Sequence, residues 1–318
     1  MKVIYLSENT HITQKVYNMS ERVFVKNDIL TNPDTFRDTE FIFTTWEMPT
    51  FSEEEIKEFL PSLKAVFYGA GSVQYFARPF LNCGVKIFSA WAANAVPVAE
   101  YTVAQILLSN VSFFKTMRYT DHAKAREMFD KFPGNYSVKV GIIGAGTIGK
   151  LVIEKLKDYD LEVLVFDPFL SDQKARELGV KKCDLETLFA NCQVVSNHLA
   201  NNTETKGMLN RALFDKMLHF ATFINTGRGA QVVESDLISV LKERPDLTAL
   251  LDVTEPEPPE GNSELYTLPN CILTPHIAGS WGLEIRRMGE YMKKEYEKFI
   301  NGQPTKYEVT LEMLKTMA

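Results

Sequence analysis

The chain has 318 residues, 45% of them apolar, and a formal net charge of −6. That length suits about two domains, and an acidic balance without a long basic run argues against nucleic acid or an anionic membrane surface as the main partner. No stretch approaches the roughly 18 apolar residues of a membrane span, and the N-terminus meets an acid at Glu8 after a short apolar run, which fits a first strand rather than a signal peptide. Cys83, Cys183, Cys192 and Cys271 lie far apart without metal-ligand spacing, so reduced thiols in a cytoplasmic protein are expected.

In chain order the pattern predicts a strand over Lys2 to Leu6, a helix over His11 to Val23 and a strand over Phe41 to Trp46. A helix over Ser52 to Leu60 opens on a serine cap with acids in its first turn. Strands follow at Ala65 to Tyr68, running into Gly69-Ala70-Gly71, and at Val85 to Phe88. Short strands alternating with helices imply a parallel α/β sheet. A long helix from about Val98 to Arg118 then leads into a second α/β run, with strands near Val138, Leu161, Val194, Thr222, Leu247 and Ile272. The amphipathic stretch Leu283 to Ile300 is predicted helical and is closed by Asn301-Gly302-Gln303-Pro304.

The second run begins with Val140-Gly141-Ile142-Ile143-Gly144-Ala145-Gly146-Thr147-Ile148-Gly149, a glycine loop between a β-branched strand and a helix. Gly144 permits the tight turn, Gly146 lets a pyrophosphate approach the backbone, and Gly149 lets the helix pack close to the strand. The free N–H groups at the helix start then face the phosphates. The next strand ends at Asp167, about 20 residues beyond the loop, where an acid can accept hydrogen bonds from ribose hydroxyls and repel a 2′-phosphate. Pro168 and Phe169 follow, with no arginine to welcome that phosphate, so NAD is expected over NADP.

Three ionisable residues each follow an apolar strand. Arg228 lies in Ile224-Asn225-Thr226-Gly227-Arg228-Gly229, Glu257 in Asp252-Val253-Thr254-Glu255-Pro256-Glu257-Pro258, and His276 in Thr274-Pro275-His276-Ile277-Ala278-Gly279. Taken singly, such an arginine is more often in a surface salt bridge and such a histidine more often structural. Together, behind a nucleotide motif, they fit hydride transfer to a 2-oxo acid. A guanidinium can hold the carboxylate bidentately and polarise the neighbouring carbonyl. Histidine can exchange a proton with the alkoxide, and a carboxylate beside it fixes its orientation.

From about Leu63 to Pro304 these motifs resemble the D-isomer-specific 2-hydroxyacid dehydrogenases. The resemblance implies a Rossmann-type doubly wound parallel sheet inserted in a smaller flavodoxin-like α/β substrate domain. The substrate domain would span 1–97, the NAD-binding domain 98–280, and 281–318 would return to the substrate domain, with the active site in the cleft between them. It further implies reversible reduction of a 2-oxo acid to the D-hydroxy acid by NADH, and a homodimer. Arg228 would clamp the substrate carboxylate and carbonyl, His276 would be the acid/base, and Glu257 its partner. Gly144, Gly146, Thr147, Ile148, Gly149, Asp167, Leu199, Ala200, Thr205, Thr226 and Asp252 would line the cofactor, Asp252 at the nicotinamide carboxamide. Backbone N–H groups of Ala70 and Gly71 would grip the substrate carboxylate. No metal is expected.

The chain departs from the family pattern in the first-domain loop, where two usual acids are Val73 and Phe76, and after His198, where Ala200 replaces a proline and Asn201-Asn202 replace Leu-Thr. The loop change predicts a more apolar substrate mouth and a substrate with a bulky or apolar side chain; Trp46, Tyr68 and Trp91 also lie in the first domain, where such aromatics are more often core residues, and Trp281 either lines the site or packs between subunits. Formate dehydrogenases carry glutamine where this chain has Glu257, and a phosphorylated substrate would want more basic residues near the loop than Arg78. The alternative from another class is a nucleotide-sensing interaction protein of the corepressor type on the same fold.

Overall fold

The computed structural model describes residues 2–117, 121–127 and 131–315. Its strands run in chain order as β1 (Lys2–Leu6), β2 (Val23–Phe24), β3 (Thr39–Thr44), β4 (Ala65–Tyr68), β5 (Lys86–Ser89), β6 (Val138–Ile143), β7 (Leu161–Phe166), β8 (Lys181–Lys182), β9 (Val194–Asn197), β10 (Thr222–Asn225), β11 (Thr248–Leu251), β12 (Cys271–Leu273) and β13 (Glu308–Val309). They form two sheets in two compact units, one made of residues 1–94 with 280–318 and the other of residues 95–279.

The smaller unit carries a sheet of order β13-β5-β4-β3-β1-β2, parallel except for β13, which pairs antiparallel to β5. Its strands are apolar at successive positions because both faces are buried. Ile4, Leu6, Ile42, Val66 and Ile87 point into one core, while Phe41, Phe43, Phe67 and Phe88 point into the other. The second face is covered by the helix Glu284–Ile300, whose Tyr296 ring stands 5.5 Å from Phe67. That helix also meets the helix Thr10–Tyr17 closely, since a Cβ on Gly289 would overlap the Val16 carbonyl. The expected cap at Ser52 is present as a reciprocal pair: Glu55 N–H donates to Ser52 Oγ and Ser52 N–H donates to the Glu55 carboxylate. This satisfies two otherwise unpaired donors.

Two helix expectations need correction. The first helix stops at Tyr17 rather than Val23, because Asn18 adopts a left-handed φ of 48°, and Val23–Phe24 instead extends the sheet as β2. The long helix spans Trp91–Asn110 and is followed by a short helix, Phe113–Thr116; the break falls at Ser112, whose φ is 61°. Arg118, its expected end, lies outside the described residues. Among the described residues no helix is long and apolar enough to cross a membrane.

The larger unit carries an all-parallel sheet of order β12-β11-β10-β9-β6-β7-β8. This holds the six expected strands plus the two-residue edge strand β8, which is too short and too polar to show a pattern. Both faces are again buried: Ile143, Leu164, Val195, Phe223 and Leu251 on one side, and Val140, Ile142, Val163, Val165 and Ile224 on the other. Successive strands run outward from β6 in one direction to β8 and in the other to β12. The order therefore reverses between β6 and β9, which is where ligands of such sheets bind, beyond the carboxyl ends of the strands.

Candidate active site

At this reversal the glycine loop leaves β6. Gly144 has φ 90°, and a Cβ there would lie 2.7 Å from the His198 carbonyl oxygen at the end of β9. Glycine is required both by the left-handed backbone and by the approach of the two strand ends. A Cβ on Gly149 would overlap the Gly144 carbonyl oxygen, so that glycine sets how closely the helix Thr147–Leu156 packs on its own loop. Gly146 is the N-cap of this helix and contributes no side-chain cap, and a Cβ on it would meet nothing within 4 Å. The first-turn N–H groups of Thr147, Ile148 and Gly149 have no partner within the helix, and with the open space beside Gly146 they make a cradle that fits a pyrophosphate.

Asp167 stands at the end of β7. One carboxylate oxygen accepts from Ala145 N–H at 2.6 Å and the other from Phe169 N–H at 2.7 Å, so it braces the glycine loop. Beyond β9, Leu199 N–H donates to the Asn197 side chain, and Thr205 Oγ closes the following loop by donating to the Ala200 carbonyl at 2.7 Å. Thr226, just past β10, is buried against His198, 3.3 Å from Oγ1 to Nδ1.

Arg228, Glu257 and His276 lie beyond the ends of β10, β11 and β12. Arg228 donates to the Gly227 carbonyl, and burial pushes its pKa down while the charge of Glu257 opposes that shift. His276 Nδ1 lies 2.6 Å from Glu257 Oε1. A carboxylate can only accept, so Nδ1 carries the hydrogen and Nε2 is the nitrogen free to exchange a proton. The His276 backbone has φ 53°, a conformation that costs energy for a non-glycine residue and persists only where the surroundings impose it. Asp252 imposes it. Its carboxylate accepts from Thr274 Oγ1 at 2.6 Å, Ile277 N–H at 2.8 Å and Ala278 N–H at 2.9 Å, and its carbonyl accepts from His276 N–H. Arg228, Glu257 and His276 therefore all belong to the larger unit, with Asp252 beneath the loop that bears the histidine.

In the smaller unit, Ala70 and Gly71 follow β4, and Ser89 Oγ donates to both of their carbonyls. The expected apolar mouth needs correction: Val73 and Phe76 are 0% and 1% exposed and pack with Tyr68 in the core of this unit. These side chains fill the interior of that unit. Trp46 is partly buried on both cores, Trp91 stands edge-on to Tyr307, and Trp281 is 60% exposed.

The sequence model described as the D-isomer specific 2-hydroxyacid dehydrogenase, NAD binding domain, matches residues 108–278. The chain belongs to the D-isomer-specific 2-hydroxyacid dehydrogenase family. Among its relatives, a D-3-phosphoglycerate dehydrogenase of Archaeoglobus fulgidus is 30% identical over 230 residues, which are 72% of this chain and 43% of that protein. The chain thus spans less than half the length of that relative. A formate dehydrogenase of Chaetomium thermophilum is 29% identical over 280 residues, 84% of this chain and 75% of that protein. In fold, this family member matches an NAD-complexed D-isomer specific 2-hydroxyacid dehydrogenase from Lactobacillus delbrueckii ssp. bulgaricus with a TM-score of 0.79 at 19% identity, covering 97% of this chain and 100% of that one.

Some buried polar residues of this dehydrogenase-family chain escape sequence reasoning. Asn197 and Asn225 are paired in register at the ends of β9 and β10, and that signal, an amide closing each of two apolar strands, was available in the sequence. His198 is buried between Ser196 Oγ, 2.9 Å from Nε2, and Thr226. Burial lowers its pKa to about 3, so it stays neutral in the fold while the unfolded chain takes up a proton near pH 6.5. The folded state then loses stability as pH falls from about 6.5 toward 3. Going from pH 7 to pH 4.5 is expected to cost wild type up to about 3 kcal/mol more than His198→Asn. Urea denaturation at the two pH values measures it, and identical losses would contradict a neutral His198.

Proposed function

We propose that this protein is an NAD-dependent oxidoreductase that interconverts a 2-oxo acid and the D-2-hydroxy acid. The observation that carries this reading is the His276–Glu257 hydrogen bond of 2.6 Å beside the desolvated guanidinium of Arg228. Bound NADH would supply the hydride, held at the loop Gly144 to Gly149 by the amides of Thr147, Ile148 and Gly149, and by the loop of Leu199 and Ala200, Thr205, Thr226, and Asp167 at the ribose. Arg228 binds the substrate carboxylate and polarises the carbonyl, its partial burial making each hydrogen bond stronger than in water. His276 Nε2 gives its proton to the oxygen as the carbonyl is reduced, and takes it back in the reverse direction. Glu257 holds the ring and stabilises the charged imidazole in the oxidative direction. Asp252 keeps the histidine loop in place and lies at the nicotinamide end. Ala70 and Gly71 are carried as further carboxylate contacts from the family pattern.

The test is oxidation of NADH with a panel of 2-oxo acids running from glyoxylate through branched to aromatic side chains. Turnover with any of them, with the D-hydroxy acid as product, supports the reading, and the ranking gives the side-chain preference. NADH binding without turnover of any acid would favour a nucleotide-sensing role instead.

The same site carries a cofactor prediction. Asp167→Asn keeps an oxygen for one of the two loop amides, turns its NH2 toward the other, and removes the charge that repels a 2′-phosphate. The ratio of NADPH to NADH dissociation constants is expected to fall by about tenfold, or about 1.4 kcal/mol. Fluorescence titration reads it, and an unchanged ratio removes Asp167 from cofactor choice.

A further inference from the structure

Three carboxamides, Asn197, Asn225 and Gln231, are 0%, 1% and 0% exposed and bonded to one another. Asn197 Nδ2 donates to Asn225 Oδ1 at 3.0 Å and to Gln231 Oε1 at 2.6 Å. Asn225 grips the arginine turn from one side, with Oδ1 accepting from Gly227 N–H at 3.1 Å and Nδ2 donating to the Arg228 carbonyl at 3.2 Å. Gln231 grips it from the other: Oε1 accepts from Arg228 N–H at 3.1 Å, and Nε2 donates to the carbonyls of Leu199 at 2.8 Å and Ala200 at 3.0 Å. The polarity of this chain is fixed by the backbone. Reversing the Gln231 amide would set NH2 against two donors at one end and oxygen against two carbonyls at the other. A Cβ on Gly227 would lie 2.7 Å from Gln231 Oε1, so the amide occupies the space that a side chain there would need.

We infer that Gln231 is a positioning residue that ties the Leu199–Ala200 loop to the backbone of Arg228, so that seating of the cofactor loop and aim of the carboxylate clamp are set together. This rests on the function proposed above. A side chain that only filled space would be replaceable by one of equal volume. Gln231 is not, because it alone presents an acceptor to Arg228 and two donors to the loop.

Two variants test this. Gln231→Met keeps the volume and removes every hydrogen bond; Gln231→Glu keeps the acceptor for Arg228 but turns an oxygen toward the two carbonyls. NADH binding is read by fluorescence, and oxamate, an unreactive 2-oxo acid analogue, is titrated into the NADH complex. Gln231→Met is expected to weaken oxamate by about tenfold or more and NADH by a smaller factor, with kcat/KM falling through both. Gln231→Glu, whose buried carboxyl is protonated more readily than in water, regains one donor in acid. Its kcat/KM relative to wild type is therefore expected to rise between about pH 8 and about pH 6, a signature that loss of packing would not produce. Wild-type oxamate affinity in Gln231→Met, or a flat ratio against pH in Gln231→Glu, overturns the inference. Wild-type protein that binds NADH but neither binds oxamate nor turns over any 2-oxo acid overturns the proposed function itself.

Discussion

Replacing Arg228 with alanine is expected to lower kcat/KM for a 2-oxo acid by more than about a hundredfold, about 3 kcal/mol of transition-state stabilisation, while NADH affinity stays nearly unchanged. Among the described residues the side chain donates to the neighbouring Gly227 carbonyl, and burial already lowers its pKa. Its removal therefore relieves a desolvated cation instead of breaking a network, and the melting temperature should move little. Arg228→Lys should recover only a small part of the activity, because an ammonium cannot make the planar two-pronged contact that a carboxylate and its adjacent carbonyl require. Steady-state kinetics with parallel NADH titration separates these effects. Unchanged turnover in the alanine variant would take Arg228 out of the mechanism.

Asp252→Asn is the second large effect, and it strikes both fold and chemistry. The carboxylate has three donors on its two oxygens, one a hydroxyl and two backbone amides. An asparagine offers one oxygen, so its NH2 must face a buried donor whichever way it turns. The unpaired group costs about 2–3 kcal/mol, and the loop holding His276 at positive φ loses its anchor. The expected outcome is a clear drop in the denaturation midpoint together with a fall in kcat of about a hundredfold, the size associated with a misplaced general acid. A variant with the lower midpoint but full kcat would show that the loop holds its shape without Asp252.

Much of this architecture was legible because its signals are local and periodic. The β-branched run before Gly144 and the acid closing the next strand announced a nucleotide-type unit. The short strands β2, β8 and β13 carried no such signal: two residues have no period, and their places in the sheets depend on distant partners. The gathering of Arg228, Glu257 and His276 beyond neighbouring strands was legible for a related reason, since parallel strands deliver their following residues to one edge. Less visible was what fixes those residues. Asp252 was expected at the cofactor, and nothing in the sequence signalled that its carboxylate also accepts from backbone and hydroxyl donors of the histidine loop. Val73 and Phe76 looked like a change at the substrate mouth, yet they pack inward, because the loop that bears them turns its side chains into the core. Gln231 gave no hint at all, since a lone amide in a loop is ordinary until its partners are seen.

The way the smaller unit is assembled has a consequence for how the polypeptide is made. The chain leaves this unit at Asn94 and re-enters at Ser280, whose N–H donates to the Asn94 side chain at 3.0 Å. On its aromatic sheet face Tyr17 of the helix Thr10–Tyr17 packs on Phe43, while Phe41, Phe67 and Phe88 are covered by Tyr296 and Phe299 of the helix Glu284–Ile300. On a ribosome the part of that face under the helix Glu284–Ile300 stays bare while the whole inserted unit is synthesised, on the order of ten seconds or more at ordinary elongation rates. The part translated first is thus finished last, and the interval in which Phe41, Phe67 and Phe88 lack their covering helix is when a nascent chain most needs a chaperone.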